Sequence, residues 1–240
     1  MGDTGTVREP NEELQETFAR IEAAVDAGET DLSRLGFWRA LRAVKADPSL
    51  SAHWAEVAGR IDRKAFETGV RPRFPVWFGN LVLFVGTLVG GLAVVVALGA
   101  KDPTVAGLAL VVAAGVWSVS VHGLAHWVVG RLVGIGFTSY FVGGPFPPRP
   151  GLKTDYATYL RTSPGSRAWM HASGALATKV APFVALGFWW ATDAPAWAAW
   201  AVAALGVLQI VTDIVFSRKS SDWKKVARER RIAHAQASTR

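Results

Sequence analysis

The sequence predicts a mainly α-helical integral membrane protein: a four-span bundle with a cytosolic N-terminal helical region and a small hairpin or loop at the membrane surface. Three observations predict it. Half of the 240 residues are hydrophobic, and they concentrate between about positions 74 and 217. Four stretches there approach or exceed the roughly 20 apolar residues that a spanning helix needs. Lysine and arginine favour alternate connections between these stretches, which indicates an orientation.

The N-terminal region, residues 1–73, is predicted to be cytosolic and helical. Within residues 10–67, apolar side chains recur at helical spacing, which predicts two or three amphipathic helices. The recurring residues in the first helix are Leu14, Phe18, Ile21 and Val25. The charged residues come before any apolar run, so no signal peptide is expected. We expect a small helical domain, and its composition indicates no chemistry.

The membrane domain, residues 74–217, carries four predicted spans, at about 76–99, 104–130, 168–191 and 196–216. Basic residues precede the first span, follow the second and follow the fourth, whereas the other two connections are short and carry little charge. Because cytoplasmic loops are enriched in lysine and arginine, both termini are expected in the cytoplasm and the protein in the plasma (inner) membrane.

The connection between the second and third spans is rich in glycine, proline and aromatic residues. Residues 137–142 read as a strand, and a proline-rich turn follows them, which predicts a hairpin or ordered loop at the membrane surface. The tail, residues 218–240, is strongly basic. It is interpreted either as a positive-inside stop signal or as a segment lying on anionic lipid. Membrane lipid, and not nucleic acid, is the expected partner.

The second predicted span contains two histidines, His122 and His126, four residues apart. Residues at this spacing lie on one face of a helix, so both imidazoles could hold one metal ion. Ionisable groups are costly within a membrane and usually face a bundle interior or a polar cavity. The chain has no cysteine, which excludes disulfides and thiolate ligands. A metal would therefore be bound by nitrogen and oxygen, or the histidines would instead hydrogen-bond to neighbouring helices.

Asp213, on the fourth span, is the predicted third ligand. His126 precedes Arg131 by five residues and Asp213 precedes Arg218 by five, so both lie about 7 to 8 Å inside the same membrane boundary. Two imidazoles and one carboxylate with an open fourth position are typical of catalytic zinc sites. Zinc is the expected cofactor.

The third span contributes two further ionisable residues, His171 and Lys179, as possible catalytic groups. A lysine near mid-bilayer is costly unless paired, so Lys179 is expected to pair with Asp213 or to cap a carbonyl exposed by Pro182. His171 is interpreted as an interhelical hydrogen-bonding residue or, alternatively, a fourth ligand.

The segment from His122 to Gly134, HGLAHWVVGRLVG, resembles the metal-binding helix of the site-2 protease (M50-like) family of intramembrane zinc metalloproteases. The segment from His171 to Thr178, HASGALAT, resembles more faintly the helix in which that family carries a Gly-Pro-x-x-Asn pattern. The resemblance implies that His122, His126 and Asp213 hold zinc and that a single-span membrane protein is the substrate or partner.

The sequence also departs from the family pattern. Gly123 stands where the family has the glutamate that activates the metal-bound water, and peptide hydrolysis still needs a proton delivered to the leaving amine. Other family positions are replaced in the third and fourth spans, by Ala175, Thr178, Leu205, Leu208 and Ile214. These departures favour a pseudoprotease or a hydrolase of altered chemistry, with His171 or Lys179 as possible substitute groups.

Two other classes of function stay open from the sequence. One is a small membrane carrier for a metal or for protons, or a haem-binding protein that uses His171 opposite the histidine pair. The other is a structural membrane adaptor whose N-terminal helices recruit a soluble partner. The first class would need ionisable groups along a path across the bilayer, whereas here they gather on one side.

Overall fold

The computed structural model describes residues 10–143, 149–215 and 221–238. Its N-terminal part is a unit of three helices: α1 (Pro10–Asp26), α2 (Phe37–Ala46) and α3 (Pro48–Gly69). The apolar positions at helical spacing in α1 face inward, and Phe18 and Ile21 are almost fully buried against Phe37 of α2 and Trp54 of α3. Asp47 caps α3 by accepting a hydrogen bond from the Ser49 backbone N–H at 2.7 Å.

Four helices are long and apolar enough to cross a membrane: α4 (Val76–Gly99), α5 (Pro103–Leu132), α7 (Pro164–Trp189) and α8 (Ala196–Val215). The predicted mainly helical class is therefore confirmed, and the four predicted spans correspond to four helices that could cross a membrane. Asp102 accepts hydrogen bonds from the first turn of α5, and Ser163 from that of α7. Both helices carry proline at their first position, where its missing N–H costs nothing.

Helix α5 is central, because it packs against α4, α7 and α8. Small residues allow these close approaches, as is usual between membrane helices. A Cβ added to Gly86 of α4 would lie 3.1 Å from Ser120, and one added to Gly107 of α5 would lie 3.1 Å from Ala198. Residues of α5 are thus placed to meet side chains from three other spans.

The connection between α5 and α7 forms a small sheet and a short helix. Strand β2 (Phe137–Gly143) pairs antiparallel with β1 (Arg73–Phe74) on one side and with β3 (Arg149–Thr154) on the other, and α6 (Tyr156–Arg161) follows β3. The strand predicted at 137–142 is β2, whereas its pairing with β1 was not predicted. The Tyr140 hydroxyl donates to Asn80 Oδ1 at 2.9 Å, which joins the sheet to α4.

The basic tail contains a further helix, α9 (Asp222–Ser238), which the sequence did not predict. It packs against α7 and contacts α2. The N-terminal unit, the sheet, α6 and α9 therefore gather at the end of the bundle where α4 and α7 begin and α5 and α8 end. The opposite end has short connections and a small apolar cluster around Ala97, Leu110 and Ala198.

Candidate metal centre

Two histidines of α5 and one aspartate of α9 converge at the polar end of the bundle. His126 Nε2 lies 3.2 Å from Asp222 Oδ2, and His122 Nε2 lies 3.5 Å from the same oxygen. The three potential ligand atoms all lie within 4.8 Å of one another, and the three residues are partly buried. His122, His126 and Asp222 are thus close enough to share one metal ion.

The other ring nitrogen of His126 is fixed by a backbone carbonyl. His126 Nδ1 lies 2.7 Å from the carbonyl oxygen of Met170 on α7. A carbonyl oxygen only accepts hydrogen bonds, so Nδ1 must carry the proton. In the neutral imidazole the lone pair is then on Nε2, which faces Asp222.

His122 is oriented in the same way by a side chain of α7. Its Nδ1 lies 2.8 Å from Thr178 Oγ1, and that hydroxyl donates its own proton to the carbonyl oxygen of Gly174 at 3.0 Å. Thr178 therefore accepts from His122 Nδ1, and the His122 lone pair is again on Nε2. Both histidines present unprotonated Nε2 atoms to one carboxylate oxygen.

This arrangement brings three hydrogen-bond acceptors together, so it needs a cation between them. Either protons on the imidazoles or a metal ion can supply the charge. Metal-binding histidines usually donate their second ring N–H to a carbonyl or another oxygen, which fixes the tautomer and ring orientation, as Met170 and Thr178 do here. Two imidazole nitrogens and one carboxylate oxygen suit zinc or another borderline divalent cation, with a position left open.

Asp222 stays ionised in its place on α9. Burial alone would raise the pKa of its carboxyl group, but a hydrogen bond from His126, formed when its Nε2 is also protonated, and the positive charge of Lys225 together hold that pKa below its usual range. Lys225 Nζ lies 3.0 Å from Asp222 Oδ1, the oxygen that does not face the histidines. Oδ2 is thus left to the candidate centre.

Gly174 of α7 makes room for the second histidine. A Cβ at this position would overlap the His126 imidazole, with the ring Cδ2 at 2.5 Å and Cε1 at 2.7 Å. The ring of His126 therefore passes directly over the α7 backbone. Gly174 and Thr178, one turn apart on α7, both lie against the histidine pair.

The structure places Asp213, the predicted third ligand, away from the histidine pair. Its Oδ2 atom forms an ion pair of 2.6 Å with Lys179 Nζ, and both side chains are largely buried. A lysine in a span is stable only with a counter-charge, so Lys179 holds Asp213. Its ammonium also donates to the carbonyl oxygen of Ala175 at 3.3 Å. The carboxylate beside the histidines is instead that of Asp222.

The sequence does not predict Asp222 as a ligand, because the composition of the tail is that of a basic segment outside the bundle. The sequence held one usable signal. Asp222 and Glu229 are the two acidic residues of a tail rich in lysine and arginine, and they are seven residues apart. That spacing places them on one face of a helix, two turns apart.

The sequence predicts His171 as a possible catalytic residue. This residue is buried beside the candidate centre, but its imidazole is hydrogen-bonded to Tyr159. Its Nε2 atom lies 3.0 Å from the Tyr159 hydroxyl, and its ring centroid is 6.5 Å from that of His126. The Tyr159 hydroxyl donates to Glu229 Oε1 at 3.0 Å, so His171 Nε2 carries the proton that it gives to Tyr159. This nitrogen is therefore not free to bind a metal.

The space beside Gly123 is occupied by two other side chains. A Cβ added at Gly123 would lie 2.7 Å from Leu83 Cδ1 and 3.5 Å from the Tyr140 hydroxyl. A glutamate at this position would have to displace the tip of Leu83. Position 123 is thus lined by the isobutyl group of Leu83 and the phenol of Tyr140.

Comparisons with known proteins identify no relative: no protein-family model, no curated protein and no solved structure matches the chain.

Proposed function

We propose that the protein is a site-2-protease-like membrane metalloprotein that holds zinc through His122, His126 and Asp222 and binds a single-span membrane protein without hydrolysing it. The observation that carries this proposal is the convergence of the His122 and His126 Nε2 atoms on one Asp222 oxygen. Both Nδ1 atoms have hydrogen-bond partners that fix this orientation. A divalent cation satisfies all three ligand atoms at once.

The absence of a carboxylate at position 123 supports a binding function over standard peptidase activity. A bound zinc ion would polarise a carbonyl group or lower the pKa of a bound water. Cleavage of a peptide also needs a group that carries a proton to the leaving amine. Gly123 has no side chain for this, Leu83 fills the adjoining space, and Lys179 is held by Asp213.

The distribution of charge supports this proposal over a carrier. The ionisable residues of the four spans gather toward the end of the bundle near α9, and Lys179, near the middle of α7, lies farthest from that end. They are His122, His126, Arg131, Arg167, His171, Lys179 and Asp213. Beyond the level of Lys179 the described spans carry no ionisable residue, so no series of charged groups crosses the membrane. The alternate placement of lysine and arginine supports a cytoplasmic location for both termini and for this site.

Metal content tests the proposal. Full-length protein purified in detergent is expected to carry close to one equivalent of zinc, measured by mass spectrometry of the metal. His122→Ala, His126→Ala and Asp222→Ala are expected to lose it. Asp213→Asn is expected to keep it, because Asp213 pairs with Lys179. His53→Ala, on α3, is the matched histidine control. Metal-free wild-type protein, or full zinc in the Asp222 variant, would refute this ligand set.

A second measurement separates a binding protein from an enzyme. The protein is reconstituted in vesicles with a panel of single-span membrane proteins, and their cleavage is followed by mass spectrometry. No cleavage that depends on His122 and His126 is expected. A product that disappears in both His→Ala variants would overturn the pseudoprotease assignment while leaving the metal site in place.

A further inference from the structure

Helix α9 carries two buried acidic side chains on one face. Asp222, in its first turn, lies at the candidate metal centre. Glu229 follows seven residues later and is completely buried. Because a helix rises 1.5 Å per residue, the two residues are about 10 Å apart along a rigid rod. Whatever fixes Glu229 therefore also fixes Asp222.

Glu229 is held by residues from three different elements. Lys45 Nζ of α2 donates to Glu229 Oε1 at 2.8 Å, and the Tyr159 hydroxyl of α6 donates to the same oxygen at 3.0 Å. Arg167 Nε of α7 forms an ion pair with Glu229 Oε2 at 2.8 Å. The side chains of Lys45, Arg167 and Glu229 are 5%, 1% and 0% exposed. We call these four residues the Glu229 anchor.

The charges of the Glu229 anchor make it strongly dependent on its carboxylate. One buried carboxylate forms ion pairs with two buried cations. Both cations also lie over the Tyr159 ring: Lys45 Nζ is 4.6 Å and the Arg167 guanidinium is 5.2 Å from the ring centroid. If α9 shifted, two cations would stay buried without a counter-charge, which is much more costly than losing an exposed ion pair. The anchor thus defines one position of α9.

The Glu229 anchor also adjoins the metal centre through α7 and α6. Tyr159 bonds His171, and the His171 ring lies next to that of His126. Arg167 and His171 are one turn apart on α7, and the next turn provides Gly174, over which His126 passes. A polar chain therefore runs from Lys45 of the N-terminal unit to the histidine pair.

We propose that Glu229 is a positioning residue for Asp222, and that the N-terminal helical unit controls metal binding through Lys45. This inference rests on the proposed function, since it assumes that Asp222 is a ligand. The polar contacts that join α2 to α9 include the Lys45–Glu229 ion pair and a hydrogen bond from Gln236 Nε2 to the Lys45 carbonyl oxygen at 3.1 Å. A partner that bends the N-terminal unit away from α9 would release Asp222 and open the metal to another ligand.

Cobalt binding to the full-length protein in detergent tests this inference. Co²⁺ reports its coordination through its visible absorption bands, and competition with a chelator gives its affinity. Lys45→Met and Glu229→Gln are expected to weaken Co²⁺ binding about 10- to 100-fold, as is usual when residues supporting metal ligands are lost. Their spectra are expected to change in the same direction as that of Asp222→Asn. Lys45→Arg, which keeps the charge, is expected to retain the wild-type spectrum.

Lys153→Met is the matched control. Lys153 of β3 forms a buried ion pair of 2.6 Å with Asp62 of α3, so it also joins the N-terminal unit to the rest of the chain, without touching α9. This variant is expected to bind Co²⁺ with wild-type affinity and spectrum. Equal weakening in Lys153→Met and Lys45→Met would show a general loss of stability and overturn the positioning role. Wild-type binding by both anchor variants would also overturn it. Wild-type protein without Co²⁺ binding would instead refute the proposed function.

Discussion

Gly174 gives the sharpest single-residue test of how α7 shapes the metal centre. Replacing it by alanine adds one methyl group at a point where a Cβ would overlap the His126 ring. Overpacking of this kind typically costs about 1 to 3 kcal/mol. The cheapest relief is movement of His126, because its imidazole can rotate away from α7 whereas the two packed helices cannot easily separate.

The expected size of the effect follows from that cost. If binding the metal forces His126 back over the added methyl group, the same 1 to 3 kcal/mol is subtracted from the binding free energy. At 1.4 kcal/mol for each factor of ten, affinity falls about 5- to 150-fold. The hydrogen bond from His126 Nδ1 to the Met170 carbonyl, 2.7 Å in the wild type, would be lost as well.

Gly187→Ala is the matched control for Gly174→Ala. Gly187 lies on the same helix, and a Cβ there would meet no atom within 4 Å. Zinc affinity is measured by competition with a fluorescent chelator, and thermal unfolding is followed on the same samples. Gly187→Ala is expected to match the wild type in affinity. If Gly174→Ala also did, His126 would not bind metal from its position over the α7 backbone, and the site geometry described above would be refuted.

Two further predictions concern the Lys179–Asp213 ion pair and the Glu229 anchor. Lys179→Met and Asp213→Asn are each expected to lower the unfolding temperature, and the double variant is expected to lose less stability than the sum of the two single losses. The reason is that partners in one ion pair typically couple by about 0.5 to 3 kcal/mol. Purely additive losses would contradict the pairing. Burial would raise the pKa of Glu229, but Lys45 and Arg167 hold it below 4.5. The unfolded chain therefore takes up this proton first, so the Glu229 contribution to stability is lost as pH falls below about 4.5. Burial raises the pKa of Asp62, so this residue changes the pH dependence of stability in the opposite direction. The contribution of Glu229 is therefore measured as the difference in unfolding temperature between the wild type and Glu229→Gln at each pH. An equal pH dependence in both proteins would count against the anchor.

The four spans could be predicted because their signal is local. A run of about 20 apolar residues can only be accommodated in a membrane or a large core, so α4, α5, α7 and α8 follow from composition alone. The histidine pair is equally local, because His122 and His126 share one turn of one helix. Their Nδ1 partners, Met170 and Thr178, lie on another helix and follow no spacing rule.

The third ligand of the candidate site, an aspartate, could not be predicted in this way. An estimate of depth along the spans selects Asp213, because it is based only on the number of residues from the membrane boundary. Such an estimate does not tell which neighbour a side chain faces. Helix α9 lies outside the spans, and its basic composition is typical of a solvated tail. Only the packing of α9 on α7 brings Asp222 to the histidines. Long-range docking of a polar helix has no periodic signature in the sequence.

Lys179 provides a physical reason why Asp222, and not Asp213, lies beside the histidine pair. A lysine in a span needs a counter-charge, and Asp213 on the adjoining span is bonded to it at 2.6 Å. A carboxylate neutralised by an ammonium group is a poor ligand, because metal binding would leave that ammonium group unpaired in a poorly solvated site. A histidine pair at this depth then needs a carboxylate from elsewhere, and α9 supplies Asp222. The acidic residue thus comes from a helix outside the four spans, which is held on α7 by its apolar packing and by the buried Glu229.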